Sequence, residues 1–186
     1  MDYYFIFVQV IGFLAWILLA YSYYRENTNK ILVFQVISTL LFCVHYILLG
    51  AYSGLIICVF EVVRDSLYYK TDEDFLIFVL SSFVYIGTVI ISFFTNSDLF
   101  SFETAVDLFP VMASLVDGFS LTKERNKAVF GGIVSYTLWF IYDLCVMSYS
   151  GAITDAIIVI SNLCILIFHI DIFHGKDISR RIVLKK

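Results

Sequence analysis

Seven apolar runs, separated by short polar segments, occupy most of this 186-residue chain. Hydrophobic residues make up 61% of the sequence and charged residues 15%, which is too little polar surface to cover a soluble globule. The runs approach the ~20 residues that a helix needs to cross a bilayer. The sequence therefore predicts an all-α integral membrane protein with seven transmembrane helices. The predicted spans are 4–22, 31–49, 55–69, 75–94, 102–121, 128–147 and 152–173.

The basic residues are distributed unevenly between the two ends of these spans. All 12 lysines and arginines lie at or near the ends of the first, third, fifth and seventh spans. Basic residues accumulate on the cytoplasmic side of membrane proteins, so we predict the N-terminus outside and the C-terminus in the cytoplasm. The basic tail, 174–186, is expected to contact anionic lipid headgroups, and its charge is too small to indicate nucleic-acid binding.

One stretch of the chain occurs twice, at Asn29–Gly54 and at Asn126–Gly151. With a constant offset of 97 positions, seven residues agree, among them Ser38 with Ser135. Both copies begin with Asn-Lys, continue through an apolar run and end in a predicted Tyr-Ser-Gly turn. Parallel three-helix units need one reversing helix between them, and the fourth span has no counterpart at this offset. The predicted architecture is 3+1+3, with two parallel three-helix bundles (1–69 and 98–173), an inverting linker helix (70–97) and a tail (174–186).

The segment FQVISTLLFCVHYILLGAYSG at 34–54, followed by Arg64, resembles bacterial inner-membrane proteins of the YgjV type. The predicted layout is similar to that of the PQ-loop/MtN3 superfamily, which includes SWEET sugar facilitators, PnuC-type vitamin transporters and KDEL receptors. This resemblance implies a multi-pass protein of the bacterial cytoplasmic (inner) membrane. The Pro-Gln dipeptides of that superfamily are absent, and Pro110 is the single proline.

Charged residues in the third span must face partners or water, because each costs about 2.5–3.5 kcal/mol at the centre of a membrane helix. Glu61, Arg64 and Asp65 share one helix face. We predict Glu61 and Asp65 as substrate-binding groups. The alternative is that Arg64 and Glu61 form a structural ion pair.

The repeat offset places Ser161 and Asn162 of the seventh span opposite the charged face of the third span. Transporters of this build bind substrate at the midplane between their repeats, so we predict both residues as substrate-binding. The resemblance to SWEET-type proteins, which use asparagines on these two helices, implies the same role for Asn162. The alternative is a hydrogen bond that only joins two helices.

The fifth and sixth spans add further candidates. Pro110 frees a backbone carbonyl one turn earlier and predicts a kink, which is interpreted either as a hinge for gating or as a packing feature. Asp107 would then line the bend and contact substrate. Trp139 and Trp16 are predicted to form stacking walls for a ring-shaped solute, with packing as the alternative.

Acidic residues gather at the predicted outer ends of the spans, including Asp143 and Asp155 near His45. They predict a negative vestibule that favours cations over anions. His45 and Asp143 are predicted gating residues, because histidine titrates near neutral pH. A hydrogen-bonded core histidine is the alternative.

The chain has no hydrolase, zinc-protease or nucleotide-binding motif, so we expect neither enzymatic activity nor a cofactor or metal. We predict a facilitator or secondary carrier for a small polar, neutral or cationic metabolite, working by alternating access in the lipid bilayer. The alternatives are a non-transporting membrane receptor or partner-binding protein, because fold does not fix function, and a cation channel. A homo-oligomer is a further expectation.

Overall fold

The computed structural model describes residues 3–23, 28–70, 79, 82–83, 85–87, 102–120 and 125–168. All regular structure within these residues is helical. Most of the predicted fourth span, the tail at 174–186 and the side chain of Asp65 lie outside the described part. The helices with described bounds are α1 (Tyr3–Tyr23), α2 (Thr28–Leu49), α3 (Tyr52–Lys70), α4 (Phe102–Ser120), α5 (Arg125–Cys145) and α6 (Tyr149–Phe168).

These helices match the first, second, third, fifth, sixth and seventh predicted spans to within a few residues. Residues 79, 82–83 and 85–87, inside the predicted fourth span, are also helical, and Tyr85 is buried in the core. The prediction of an all-helical chain is therefore confirmed for the described residues. α4 continues through Pro110, which is fully buried.

The two Tyr-Ser-Gly segments are helical, and the prediction that they form turns was wrong. Tyr52 and Tyr149 are the first residues of α3 and α6. The chain reverses just before them, where Gly50 and Met147 adopt left-handed φ angles of 73° and 59°. A left-handed residue at this position ends a helix and lets later N–H groups bond its last carbonyls, so the following residues are free to start the next helix.

The two turns have the same backbone hydrogen bonds at the same offset of 97 residues. Ala51 N donates to Tyr46 O at 2.9 Å, and Ser148 N donates to Asp143 O at 2.8 Å. Gly50 N donates to Ile47 O, as does Met147 N to the carbonyl of Leu144. The sequence repeat thus coincides with a repeated turn conformation.

The helices pack in a closed order, in which α1 contacts α2, α2 contacts α3, α3 contacts α4, α4 contacts α5, α5 contacts α6, and α6 contacts α1. We call α1–α3 the first triplet and α4–α6 the second triplet. Exchanging the triplets, α1 for α4, α2 for α5 and α3 for α6, leaves this set of contacts unchanged.

Hydrogen bonds show the directions of the helices. Tyr4 bonds Leu48 O and Ser38 bonds Ala15 O, so α1 and α2 are antiparallel. The side chain of Gln9 bonds the start of α6, so α1 and α6 begin at the same end of the bundle. α3 and α4 also run parallel. Glu61 of α3 bonds Ser114 of α4, and three residues later in both helices Arg64 bonds Asp117. We call the end at which α1, α3, α4 and α6 begin the first end, and the opposite one the second end.

The distribution of polarity is the reverse of that in a soluble protein. Large apolar side chains such as Phe7, Leu14 and Ile17 of α1 are exposed, as are Ile160 and Ile167 of α6. Buried positions include many polar residues, among them Gln9, Ser38, His45, Arg64, Ser114, Ser135, Asp143, Thr154, Asp155 and Ser161. α1 over Tyr3–Ser22 and α6 over Tyr149–Ile167 are long and apolar enough to cross a membrane. A bundle that is apolar outside and polar inside suits a bilayer, where polar side chains find partners only within the protein.

Candidate functional site: two polar seams between the triplets

The first polar contact between the triplets is built around Gln9 of α1. Its Nε2 donates to Met147 O and its Oε1 accepts from Ser150 N, both at 2.9 Å. The first N–H groups of a helix lack partners within that helix, and Gln9 satisfies one of them at the start of α6. The Gln9 side chain therefore joins the two triplets at the first end.

His45 lies beside Gln9 and is fully buried. Its Nδ1 is 2.8 Å from Val8 O, and its Nε2 is 2.9 Å from Ser148 Oγ and 3.5 Å from Ser150 Oγ. This contact of α1, α2 and α6 is close because α1 has a glycine there. A Cβ at Gly12 would overlap the Ser150 side chain and lie 3.1 Å from His45.

Asp143 extends these contacts to α5. Its side chain is 1% exposed, and its Oδ1 accepts from the Tyr46 hydroxyl at 2.9 Å. The Ser148 hydroxyl that bonds His45 lies close to this carboxylate, since both adjoin Gly151. Gly151 leaves room for the group, because a Cβ there would overlap Asp143 Oδ2 and Ser148 Oγ. We call this set of residues the histidine seam: Gln9, His45, Asp143, Ser148 and Ser150.

Aromatic rings fill the space between α2 and α5 at the centre of the bundle. Tyr46 stacks on Trp139 at a centroid distance of 6.0 Å, and Trp139 meets Tyr142 edge-on at 5.7 Å. The Tyr142 hydroxyl bonds Ser53 Oγ and accepts from Gly54 N, both at 2.8 Å. Position 54 lacks space for a side chain, since a Cβ there would lie 2.8 Å from that hydroxyl.

A second seam joins α3 to α4. Arg64 is 4% exposed, and its Nη2 is 2.9 Å from Asp117 Oδ2. Its Nη1 also donates to Ser114 O at 3.4 Å, while the Ser114 hydroxyl donates to Glu61 Oε1. We call Glu61, Arg64, Ser114 and Asp117 the arginine seam. Its ion pair gives a buried guanidinium the charged partner that burial requires.

The two seams lie at different depths. At 1.5 Å per residue, Gln9 is about 9 Å from the start of α1, whereas Arg64 is about 18 Å from the start of α3. Asp155 of α6 lies about 9 Å from the start of its helix, which is about the depth of Gln9. Asp155 is 8% exposed, and its Oδ2 has no hydrogen-bond partner among the described residues. Asp143 and Glu61, one from each seam, are within electrostatic range of it.

The sequence from residue 6 to residue 170 matches the model of the Imp-YgjV family, which is described as a bacterial inner membrane protein. The chain belongs to this family. The Imp-YgjV description gives a location and no activity, and it agrees with the apolar exterior of the helices. The predicted resemblance to YgjV-type proteins and the predicted inner-membrane location are therefore confirmed. No curated protein and no solved structure is significantly similar to the chain.

Some of the predicted site residues of this Imp-YgjV member lie together in the structure. His45 and Asp143 belong to one seam, and Glu61 and Arg64 belong to the other. The interpretation of His45 as a hydrogen-bonded core residue agrees with its burial and its partners, and its gating role stays a prediction. Arg64 has Asp117 as a partner, which the sequence did not indicate.

Other predicted residues take less central positions. Ser161 is buried, while Asn162 is half-buried and its Nδ2 faces Gly132 of α5, where a Cβ would lie 2.7 Å away. Asp107 is half-buried and within electrostatic range of Tyr142. Trp16 is half-buried on α1. A substrate role for these residues, for Trp139 and for Asp65 stays a prediction, as does a hinge at Pro110.

Both seams contain residues that the sequence did not single out: Gln9, Ser114, Asp117, Ser148 and Ser150. Gln9 had a usable signal, because it is a lone amide in an apolar span. The serines had no such signal in the sequence, because serine is common in membrane helices for packing reasons alone. Among the described residues, no group of three or more histidine, cysteine, aspartate or glutamate side chains has a geometry suited to a metal ion.

Proposed function

We propose that this protein is a facilitator or secondary carrier for a small polar, neutral or cationic solute. The observation that carries the proposal is that two polar seams join the same two triplets at different depths of the bundle. Opening one seam while the other stays closed would expose the interior to one side of the membrane at a time. That is the requirement for alternating access.

The triplets are proposed to be two parallel three-helix bundles related by a twofold axis along the membrane normal. Tyr46 and Asp143 stand at equivalent positions of the repeat and bond each other. A contact between equivalent positions is the mark of a twofold relation. The matching turns at Gly50 and Met147 also support it.

A reversing fourth span follows from the same proposal. α3 ends at the second end and α4 begins at the first end, so residues 71–101 return the chain from one end to the other. This supports the 3+1+3 architecture of the PQ-loop/MtN3 superfamily. The basic residues at the second end favour a cytoplasmic location for that end, and with it an N-terminus outside.

The interior charge supports the proposed type of solute. Glu61, Asp143 and Asp155 are acidic, and Arg64 is the single lysine or arginine inside the predicted spans. Arg64 already pairs with Asp117. A cation or a hydrogen-bond donor would be stabilised by the unpartnered Oδ2 of Asp155, whereas an anion would be repelled.

Uptake into proteoliposomes tests the proposal. Solutes are first chosen by their effect on the thermal stability of the purified protein, since a ligand that binds the folded state raises it. We expect saturable uptake of a neutral or cationic ligand, reduced about tenfold by Asp155→Asn, a loss of ~1.4 kcal/mol. Thr137→Val is the matched control, because Thr137 lies on the exposed face of α5 and bonds only Ile133 O of its own helix.

Two results would reject the carrier. Saturable binding without flux would favour a receptor, and electrical currents beyond the turnover of a carrier would favour a channel. Equal losses of uptake in Asp155→Asn and Thr137→Val would remove Asp155 from the solute site.

A further inference from the structure

We propose that the Asp155 carboxyl group is a proton-binding site, which holds an exchangeable proton while the bundle is closed and releases it when a cationic solute takes its place. As a statement about transport, the inference rests on the carrier function proposed above, and it makes the proton the ion that is exchanged for the solute. As a statement about a proton site, it depends only on the surroundings of Asp155.

Asp155 is a buried acid whose carboxyl group lacks a hydrogen-bond donor. The residue is 8% exposed, and its Oδ2 bonds none of the described residues. A buried carboxylate needs donors or a cation, because an isolated negative charge is strongly destabilised in a low-dielectric interior. A carboxyl group in such surroundings takes up a proton and becomes neutral. The structure therefore favours the protonated acid at position 155.

Asp143, the other buried aspartate nearby, has the donor that Asp155 lacks. Asp143 Oδ1 accepts from the Tyr46 hydroxyl at 2.9 Å, which stabilises a negative charge on this group. When two acids have different surroundings, the proton lies on the one whose charge is less stabilised. We therefore assign the proton to Asp155 and not to Asp143.

The two carboxyl groups are directed towards each other along α6. Asp143 Oδ2 lies so close to Gly151 that a Cβ there would overlap it. Asp155 follows Gly151 by four residues and shares its face of α6, and helical side chains tilt towards the N-terminus of their helix. The Asp155 side chain is thus inclined towards Asp143, which lies within electrostatic range. Two ionised carboxylates would repel each other there, and a proton on Asp155 removes the repulsion.

The other ionisable groups that interact with Asp155 are also acids. They are Glu61 of α3 and Tyr46 of α2. α1, which packs against α6 from the other side, has no charged residue over Tyr3–Tyr23. Loss of the proton would therefore add a negative charge beside other acids.

His45 of α2 also reaches α6, but its ring nitrogens bond other groups. Its Nδ1 is 2.8 Å from Val8 O, and its Nε2 is 2.9 Å from Ser148 Oγ. Neither ring nitrogen is therefore available as a hydrogen-bond donor to Asp155. The positive charge that an ionised Asp155 needs has to come from the solute.

The exchange leaves the net charge of the site unchanged. The O–H bond of the Asp155 carboxyl group breaks, and its proton passes to water on the side to which the bundle is open. The carboxylate that remains then pairs with the solute cation through Oδ2. One positive charge leaves as another arrives, so the bundle can close around either one without an unpaired buried charge.

Infrared spectroscopy of the purified protein in lipid nanodiscs tests the proton site, because a protonated carboxyl group and a carboxylate absorb at different frequencies. An ordinary aspartate titrates near pH ~3.9, so only about a thousandth of it is protonated at pH 7. We expect a protonated-carboxyl band at pH 7. Labelling aspartate with a heavy carbon isotope in its carboxyl group should shift this band, and Asp155→Asn should remove it.

Asp143→Asn is the matched control, because it removes the other carboxyl group beside the same stretch of α6. It should leave the band in place. A band that Asp143→Asn removes, or one that survives Asp155→Asn, would overturn the inference, and so would a native protein without an aspartate band at pH 7.

Asp155→Glu keeps the test decisive where Asp155→Asn does not fold. It retains an acid at this position, so we expect a protonated-carboxyl band that no longer responds to the aspartate label. A band that still responds to the label would arise from another aspartate and would overturn the inference.

Failure of this inference is distinguishable from failure of the carrier. The infrared band requires no flux, so an Asp155 band in a protein without uptake would reject the carrier and retain the proton site. Uptake by a protein without the band would reject the proton site and retain the carrier.

The exchange itself is tested in proteoliposomes with a more acidic interior. For one-for-one exchange we expect a monovalent cationic ligand to accumulate up to about tenfold per pH unit of gradient, because the two concentration ratios become equal. In Asp155→Asn the gradient should have no effect. Uptake of neutral ligands alone, or accumulation that ignores the gradient, would overturn the exchange of proton for solute.

Discussion

The histidine seam and the arginine seam join equivalent pairs of helices by different chemistry. α1 with α6 and α4 with α3 are exchanged by the same swap of triplets, and both pairs run parallel. At the histidine seam the Gln9 amide bonds the backbone at Met147 and Ser150, and the His45 imidazole bonds serine hydroxyls. At the arginine seam a guanidinium pairs with the carboxylate of Asp117.

The difference shows that the repeat preserves backbone conformation more strictly than side-chain chemistry. Ser161 occupies the repeat position of Arg64 and is equally buried, so both helices are polar there but only one is charged. Hydrogen bonds of uncharged groups, such as those of Gln9 with the turn, can be exchanged for bonds to water or solute at a modest cost per bond. An ion pair in a low-dielectric interior costs more when it loses one partner. Substitutions at Arg64, at Gly12 and at the two turns measure this contrast.

The largest effect is expected for Arg64→Met. The substitution leaves Asp117 without its buried cation, and we expect the free energy of unfolding to fall by about 3 kcal/mol, because Asp117 is partly exposed and the low end of the range applies. Unfolding in mixed detergent micelles, monitored by circular dichroism, measures the change. Arg64→Met with Asp117→Leu should recover part of the loss. A loss below about 1 kcal/mol for the single variant would show that the ion pair contributes little beyond an exposed one.

An intermediate effect is expected for Gly12→Ala. The new Cβ would overlap the Ser150 side chain, so α1 must move away from α6 and His45, at a cost of about 2 kcal/mol. The same unfolding assay measures it. Gly87→Ala is the control, because a Cβ there meets no atom of the described residues within 4 Å, and the helical alanine should be neutral or stabilising by up to ~1 kcal/mol. Similar losses in both variants would mean that the histidine seam does not depend on close approach of α1.

The smallest effect is expected at the turn that carries Ser148. Met147 has a φ of 59° and is 59% exposed, so Met147→Gly removes backbone strain and little packing, and we expect a gain of about 0.5–1 kcal/mol. Gly50→Ala, at the equivalent turn, should lose about 1 kcal/mol, since alanine resists the left-handed region. Thermal shift is sensitive enough for both. If Met147→Gly is destabilising, the methionine side chain contributes contacts that outweigh the strain.

Local information in the sequence was sufficient for the helices and for the presence of buried polar groups. An apolar run of membrane-spanning length forms a helix wherever it lies in the bundle, because its backbone hydrogen bonds are satisfied within the segment. For the same reason the helix bounds agreed with the apolar runs to within a few residues. The turns predicted at Tyr52 and Tyr149 were wrong because the residues there do not break a helix. Charged residues such as Arg64 also predicted their own need for a partner.

The identity of each partner was decided by the tertiary structure. Periodicity gives the face of a helix on which Arg64 lies, but it does not tell which helix packs there, and Asp117 is 53 residues away. His45 and Ser148 are 103 residues apart and meet only because α1, α2 and α6 converge at the first end. Helix formation depends on neighbours in sequence, whereas a polar seam depends on the rotation and contact of whole helices. The apolar runs therefore predicted the helices, and the packing of the two triplets brought the partners in each seam together.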